Sequence, residues 1–125
     1  METIFLEPTE DSPKLLLDPK LGKILVKGRS FMEDTVPYYS AILEWLRDYF
    51  KEPQQETVIE LEFEYINSAS ERMVIDVLAE FNKYFILGHK VKVIWSYPPE
   101  DESLVEMGEE LSEMFDIPIE RRALA

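Results

Sequence analysis

The segment Thr57-Val58-Ile59-Glu60-Leu61-Glu62-Phe63-Glu64-Tyr65 alternates so strictly that it leaves little choice of fold. Side chains two apart on a strand share a face. Ile59, Leu61, Phe63 and Tyr65 therefore point one way, and Glu60, Glu62 and Glu64 the other. Such a strand is buried on one side only, so the sheet that holds it has one face packed by helices and one left to water.

The rest of the chain supplies those helices. After Tyr65 the residues Met73, Val74, Val77, Leu78, Phe81 and Phe85 recur at helical spacing, which predicts a helix from about Ala69 to Leu87 with Gly88 as its stop. Val36, Tyr39, Ile42, Leu43, Leu46 and Phe50 predict an earlier helix, capped by Asp34 or Thr35 with Pro37 in its first turn. Leu104, Val105, Met107, Gly108, Leu111, Met114 and Phe115 predict a third, opened by Glu100-Asp101-Glu102 at its positive end. Lys14 to Leu17 and Lys23 to Lys27 flank the turn Asp18-Pro19-Lys20-Leu21-Gly22 and read as a hairpin, followed by a polar loop from Gly28 to Asp34. Lys90 to Tyr97 reads as a strand with Val91, Val93 and Trp95 on one face, and Ile117-Pro118-Ile119 as a short closing strand. Strand-helix-strand crossovers call for parallel pairing, so the expectation is an α/β fold in one domain spanning residues 1–125: a mixed sheet with helices mainly on one face.

Composition narrows the function. With 26 acidic against 13 basic residues, a formal charge of −13 repels phosphate backbones and anionic lipid headgroups, so nucleic acid is a poor partner. No stretch has the ~20 apolar residues of a membrane span and no signal peptide is evident, so membrane insertion is not expected and a cytoplasmic protein is. The absence of cysteine excludes disulfides, thiolate metal sites and a Cys nucleophile, and a single His excludes sites that need several. No cofactor or metal is expected.

Catalysis finds no assembled constellation either. Glu60, Glu62 and Glu64 lie about 6 to 7 Å apart along a strand face, which overlaps the carboxylate separations of glycosidases. No apolar cleft accompanies them, and Lys23, Lys27 and Lys92 offer cross-strand ion pairs instead. His89 follows a helix-ending Gly without a Ser or Asp partner, and there is no Gly-rich phosphate loop. A non-enzymatic protein is expected.

What remains is Tyr65-Ile66-Asn67-Ser68-Ala69-Ser70-Glu71, the seam between strand and helix. Ser68 and Glu71 have the spacing of a capping box, which makes Ser68 the expected N-cap. The electropositive helix end that a cap satisfies also stabilises a phosphate, so Ser68 is a chemically reasonable phosphoacceptor, with Ser70 and, less so, Thr35 and Ser103 as other hydroxyls at helix starts.

Ile66-Asn67-Ser68-Ala69-Ser70, between that strand and Met73-Val74-Ile75-Asp76-Val77-Leu78, resembles the SiaC family of bacterial regulatory phosphoproteins. The similarity runs over nearly the whole chain, including Gly28 to Asp34, the Trp45 helix and Val93-Ile94-Trp95. The resemblance implies a fold similar to STAS domains and anti-sigma factor antagonists. It implies a phosphorylation switch set by a histidine-kinase-like protein kinase and reset by a PPM-type phosphatase. The unphosphorylated form is implied to bind and activate a diguanylate cyclase in biofilm signalling through cyclic di-GMP. The acceptor carries over to Ser68, where a Thr can stand in the family, with Ser70 as rival. The partner-binding switch region then comprises Tyr65, Asn67, Ser68, Ala69, Ser70 and Glu71. A constitutive protein-binding scaffold without phosphorylation, and a small hydrolase using the Glu face, are the alternatives.

Overall fold

The structure, a computed structural model, describes all 125 residues. Its strands are β1 (Ile4–Leu6), β2 (Lys14–Asp18), β3 (Lys23–Ser30), β4 (Thr57–Ile66), β5 (Val91–Tyr97) and β6 (Ile119–Ala123), and its helices α1 (Val36–Tyr49), α2 (Ser68–Ile86) and α3 (Glu102–Met114). They form one six-stranded sheet in chain order, β1 to β6. The pairs β1–β2 and β2–β3 are antiparallel; β3–β4, β4–β5 and β5–β6 are parallel. Each parallel pair is joined by a crossover helix. Crossovers of one hand that step in one direction put α1, α2 and α3 on the same side, so the mixed sheet with one open face stands as expected.

The core lies between that side of the sheet and the helices. Ile24, Val26, Ile59, Leu61, Phe63, Val91, Val93 and Trp95 meet Tyr39, Ile42, Leu46, Val74, Val77, Leu78, Phe81, Leu104 and Leu111 in a single cluster. Trp95 also donates its indole N–H to the Leu104 carbonyl at 3.0 Å, fixing α3 to β5. Of the expected helix stripes, Leu43, Met73, Phe85, Val105 and Phe115 are only partly buried, while Val36 and Met114 are exposed.

Several boundaries differ from the sequence reading, each for a physical reason. β1 was not expected: its three residues are all exposed on the sheet edge, so it carries no burial pattern. The stretch Gly28 to Asp34 is not all loop, since β3 continues through Arg29 and Ser30. The closing strand is β6, beginning at Ile119, with charged Glu120, Arg121 and Arg122 tolerated on an exposed edge. The largest difference concerns Tyr65. Gly28 pairs with Phe63 but Arg29 pairs with Tyr65, so Glu64 is an extra residue, a bulge in β4. Gly28, at φ +132°, takes a backbone conformation opposite this bulge that a side chain would strain. One inserted residue reverses the alternation. Tyr65 leaves the core face and is 51% exposed, and Ile66 turns in against the core instead.

Candidate functional site

The parallel strands β3 and β4 end beside one another, and α2 begins where they end. Hydrogen bonds pin this junction. The Asn67 amide donates to the Ser30 carbonyl at 2.9 Å, carrying strand pairing to the threshold of the helix. The Asn67 side chain accepts from the Ser70 amide at 2.8 Å and its Nδ2 donates to the Met32 carbonyl at 3.4 Å. Asn67 is therefore the N-cap, with the extended backbone (φ −85°, ψ 168°) that a cap requires. This corrects the expected Ser68–Glu71 capping box: Ser68 is already the first helical residue, and the residue before it, held by β3, reaches the free amide first.

The two serines of the turn have opposite environments. Ser70 is wholly buried and accepts a hydrogen bond from the Ser30 hydroxyl at 2.7 Å. Ser30, also wholly buried, lies 2.7 Å from the Tyr39 hydroxyl. The single Ser30 proton goes to Ser70, so Tyr39 donates to Ser30. Burial pushes the Tyr39 phenol up to about 12, against the lowering effect of its Ser30 and Ser70 neighbours, and keeps its proton in place at neutral pH. The chain of three hydroxyls thus locks α2 to β3 and α1. Ser68, by contrast, is exposed and takes no part in the cap, and Ala69 is half-buried between the two serines.

Around Ser68 the surface is mixed. Tyr65 meets the exposed Phe31 edge-to-face at 5.9 Å, and the Arg29 guanidinium lies 4.8 Å from the Phe31 ring centre. On the other side a shallow cleft of about 270 Å³ is lined by Tyr65, Ile66, Glu71, Asp101, Ser103 and Leu104. Burial, and then the Glu110 carboxylate, raise the Glu71 carboxyl above the ordinary glutamate range. The expected switch residues from Tyr65 to Glu71 are thus brought together, whereas Thr35 is buried at the start of α1. Sequence reasoning did not single out Arg29 and Phe31. Three residues that run polar, polar, apolar carry no alternation to mark them as the end of a strand.

On the open face, Lys23 pairs with Glu60 and Lys27 with Glu62, each at 3.4 Å, as cross-strand ion pairs. The third expected cation, Lys92, lies opposite Val58 on the neighbouring strand rather than opposite a glutamate. His89 packs edge-on against Phe50 at 5.2 Å in the turn after α2.

A mixed α/β sheet with all its helices on one side and a helix start pinned to the neighbouring strand define a small α/β domain that presents an exposed serine at the first helical position of α2. The sequence model of the SiaC family regulatory phosphoproteins matches residues 6–124, and the chain belongs to that family. It is 22% identical over 118 residues, 94% of both chains, to an uncharacterized protein of Pseudomonas aeruginosa strain UCBPP-PA14. Its fold is similar to that of apo-SiaC from Pseudomonas aeruginosa, with a TM-score of 0.89 at 22% identity over 98% of this chain and 100% of that one. It is equally similar to SiaC in the crystal structure of the diguanylate cyclase SiaD with its activator SiaC, with a TM-score of 0.90 at 21% identity over 97% and 99% of the two chains. No helix is long and apolar enough to cross a membrane.

Proposed function

We propose that the protein is a phosphorylation-switched adaptor in which Ser68 is the phosphoacceptor and the unphosphorylated form binds and activates a diguanylate cyclase. The observation that carries this reading is the contrast within one turn. A kinase needs a free hydroxyl, and Ser68 is exposed at the first helical position while Ser70 is wholly buried and hydrogen-bonded to Ser30. The diguanylate cyclase is proposed as effector because a relative of the same fold, SiaC of Pseudomonas aeruginosa, is the activator of such an enzyme. A histidine-kinase-like protein kinase and a PPM-type phosphatase complete the cycle.

The switch follows from charge. Phosphorylation adds about −1.5 to −2 charge and a set of strongly hydrated acceptor oxygens. The helix start tolerates that anion through its free amides. The turn beneath it stays pinned by Asn67, Ser30 and Tyr39, so modification changes the surface a partner meets without melting α2.

The test is a phosphosite map after incubation with ATP and the host kinase, together with cyclase affinity and activation for unmodified and phosphorylated protein. Phosphate is expected on Ser68, its loss in Ser68→Ala, and weaker cyclase binding on phosphorylation. Phosphate on Ser70 alone, or equal affinity of the two forms, overturns the reading; full cyclase activation with no phosphorylation by any host kinase favours the constitutive scaffold.

A further inference from the structure

The Glu64 bulge has an effect that the core does not need: it turns Tyr65 out of the sheet into contact with Phe31, beside Arg29. Bulges of this kind re-aim side chains next to functional sites. Arg29, Phe31 and Tyr65 then form an exposed ladder of cation, ring and ring at the ends of β3 and β4. Tyr65 lies three residues before Ser68, within about 11 Å along an extended chain. Tyr and Arg are, with Trp, the residue types enriched among those that dominate binding energy at interfaces: Tyr offers a large area with only two torsions to freeze, and Arg a planar fork of donors.

Charge selects the occupant. Arg47, Arg121 and Arg122 each pair with a carboxylate of this chain. Arg29 and Arg72 have no such partner in a protein of net charge −13, and of the two only Arg29 is stacked on a ring, its guanidinium placed over Phe31. Stacked in that way, the planar fork leaves its donors free for a bidentate carboxylate from outside.

We propose that Arg29, Phe31 and Tyr65 are the docking patch of this protein, and that they take an apolar segment of the effector carrying one carboxylate aimed at Arg29. The inference rests on the Ser68 switch reading and supplies its mechanism. A phosphate on Ser68 repels the incoming carboxylate, and its hydration opposes burial of the neighbouring rings. Docking and modification oppose one another through like charge on neighbouring surface.

The experiment uses the diguanylate cyclase that co-purifies with the unphosphorylated protein from its host as the titrant. Affinities are measured for wild type, Tyr65→Ala, Phe31→Ala, Arg29→Lys, Arg29→Glu and, as a control at the far end of α2, Leu87→Ala, each checked for unchanged melting. Tyr65→Ala and Arg29→Glu are expected to weaken binding about tenfold or more. Arg29→Lys should fall between these and wild type, because it keeps the charge but loses the fork, while Leu87→Ala stays within about twofold, as expected outside an interface. Replacing the facing cyclase carboxylate by Lys should restore binding to Arg29→Glu. If every patch variant binds like wild type while phosphorylation still weakens binding, the patch is wrong and the switch survives. Loss confined to the two rings, with both Arg29 variants unchanged, overturns the proposed partner chemistry. If no cyclase co-purifies, or phosphorylation leaves affinity unchanged, the switch reading itself falls and the docking patch with it.

Discussion

β4 contains two regions that follow opposite rules. From Ile59 to Phe63 the alternation is kept: Ile59, Leu61 and Phe63 are buried under the helices, and Glu60 and Glu62 face the lysines of β3. Beyond Glu64 the parity is reversed, so that Tyr65 is outside and Ile66 inside. The first region is built for stability and the second for presentation. The difference between them is a single extra residue, which is why a strand can carry core and docking surface on side chains that sequence parity assigns to one face.

The sharpest way to break this comparison is to truncate one large side chain from each region. Leu61→Ala removes a core side chain from beneath α1 and α2 and is expected to cost about 2 to 5 kcal/mol. Tyr65→Ala, were parity unbroken, would cost a comparable amount; with the bulge it is expected to stay within about 0.5 kcal/mol, the range of exposed positions. Chemical denaturation of both variants decides it. Similar losses in the two would place Tyr65 in the core and remove the bulge from the account.

The next effect concerns the junction after the bulge. Asn67→Ala deletes the oxygen that accepts from the Ser70 amide and the Nδ2 that reaches Met32, so the expected loss is about 0.5 to 2 kcal/mol. Hydrogen exchange should locate the loosening at the first turn of α2. A variant as stable and as protected as wild type would mean that the strand bond from Asn67 to Ser30 suffices to start the helix.

The open face provides a smaller effect. Glu60 and Glu62 form partly exposed ion pairs, each worth about 0 to 1 kcal/mol, and Glu64 is exposed at the bulge. Replacing all three by Gln should leave the fold intact and the melting curve only slightly lower. A misfolded triple variant would show that these carboxylates do more than solvate the face, and a hydrolytic activity of the wild type that the variant loses would revive the enzyme alternative.

How much of this was legible in the sequence depends on what carries the signal. Periodicity announced β4, α2, β5 and the β2–β3 hairpin, because each buries one regular stripe, and Ile59, Leu61, Phe63, Val74, Val77, Leu78, Phe81, Val91 and Val93 are all buried as their spacing required. It was silent on β1 and misplaced β6, edge strands with almost no buried side. It missed the bulge because counting by twos has no mark for an inserted residue. The helix start was placed one residue late: Asn67 and Ser68 are both good caps, and Glu71 matches the box for Ser68. Only the bond from Asn67 to Ser30 on β3 decides between them, and that contact is far away in sequence. The burial of Ser70 depends on Ser30 and Tyr39 in the same way.

The smallest expected effect on stability is the most informative about the switch. If Ser68 were the cap, Ser68→Ala would cost about as much as Asn67→Ala. With the cap at Asn67 and Ser68 exposed in the first helical turn, Ala is a better helix former than Ser and the change is expected to lie within about 0.5 kcal/mol of wild type. Ser68→Asp should likewise stay folded, since a carboxylate in the first turn complements the helix dipole. Neither variant has an acceptor hydroxyl at this position. Ser68→Ala should retain effector binding, while Ser68→Asp, with one negative charge in place of a phosphate, should weaken it in part. Melting curves superimposed on wild type, beside affinities that diverge between Ala and Asp, would separate a signal from a structural defect. A loss of stability in Ser68→Ala equal to that of Asn67→Ala would return the capping role to Ser68 and tie any change in binding to a frayed helix.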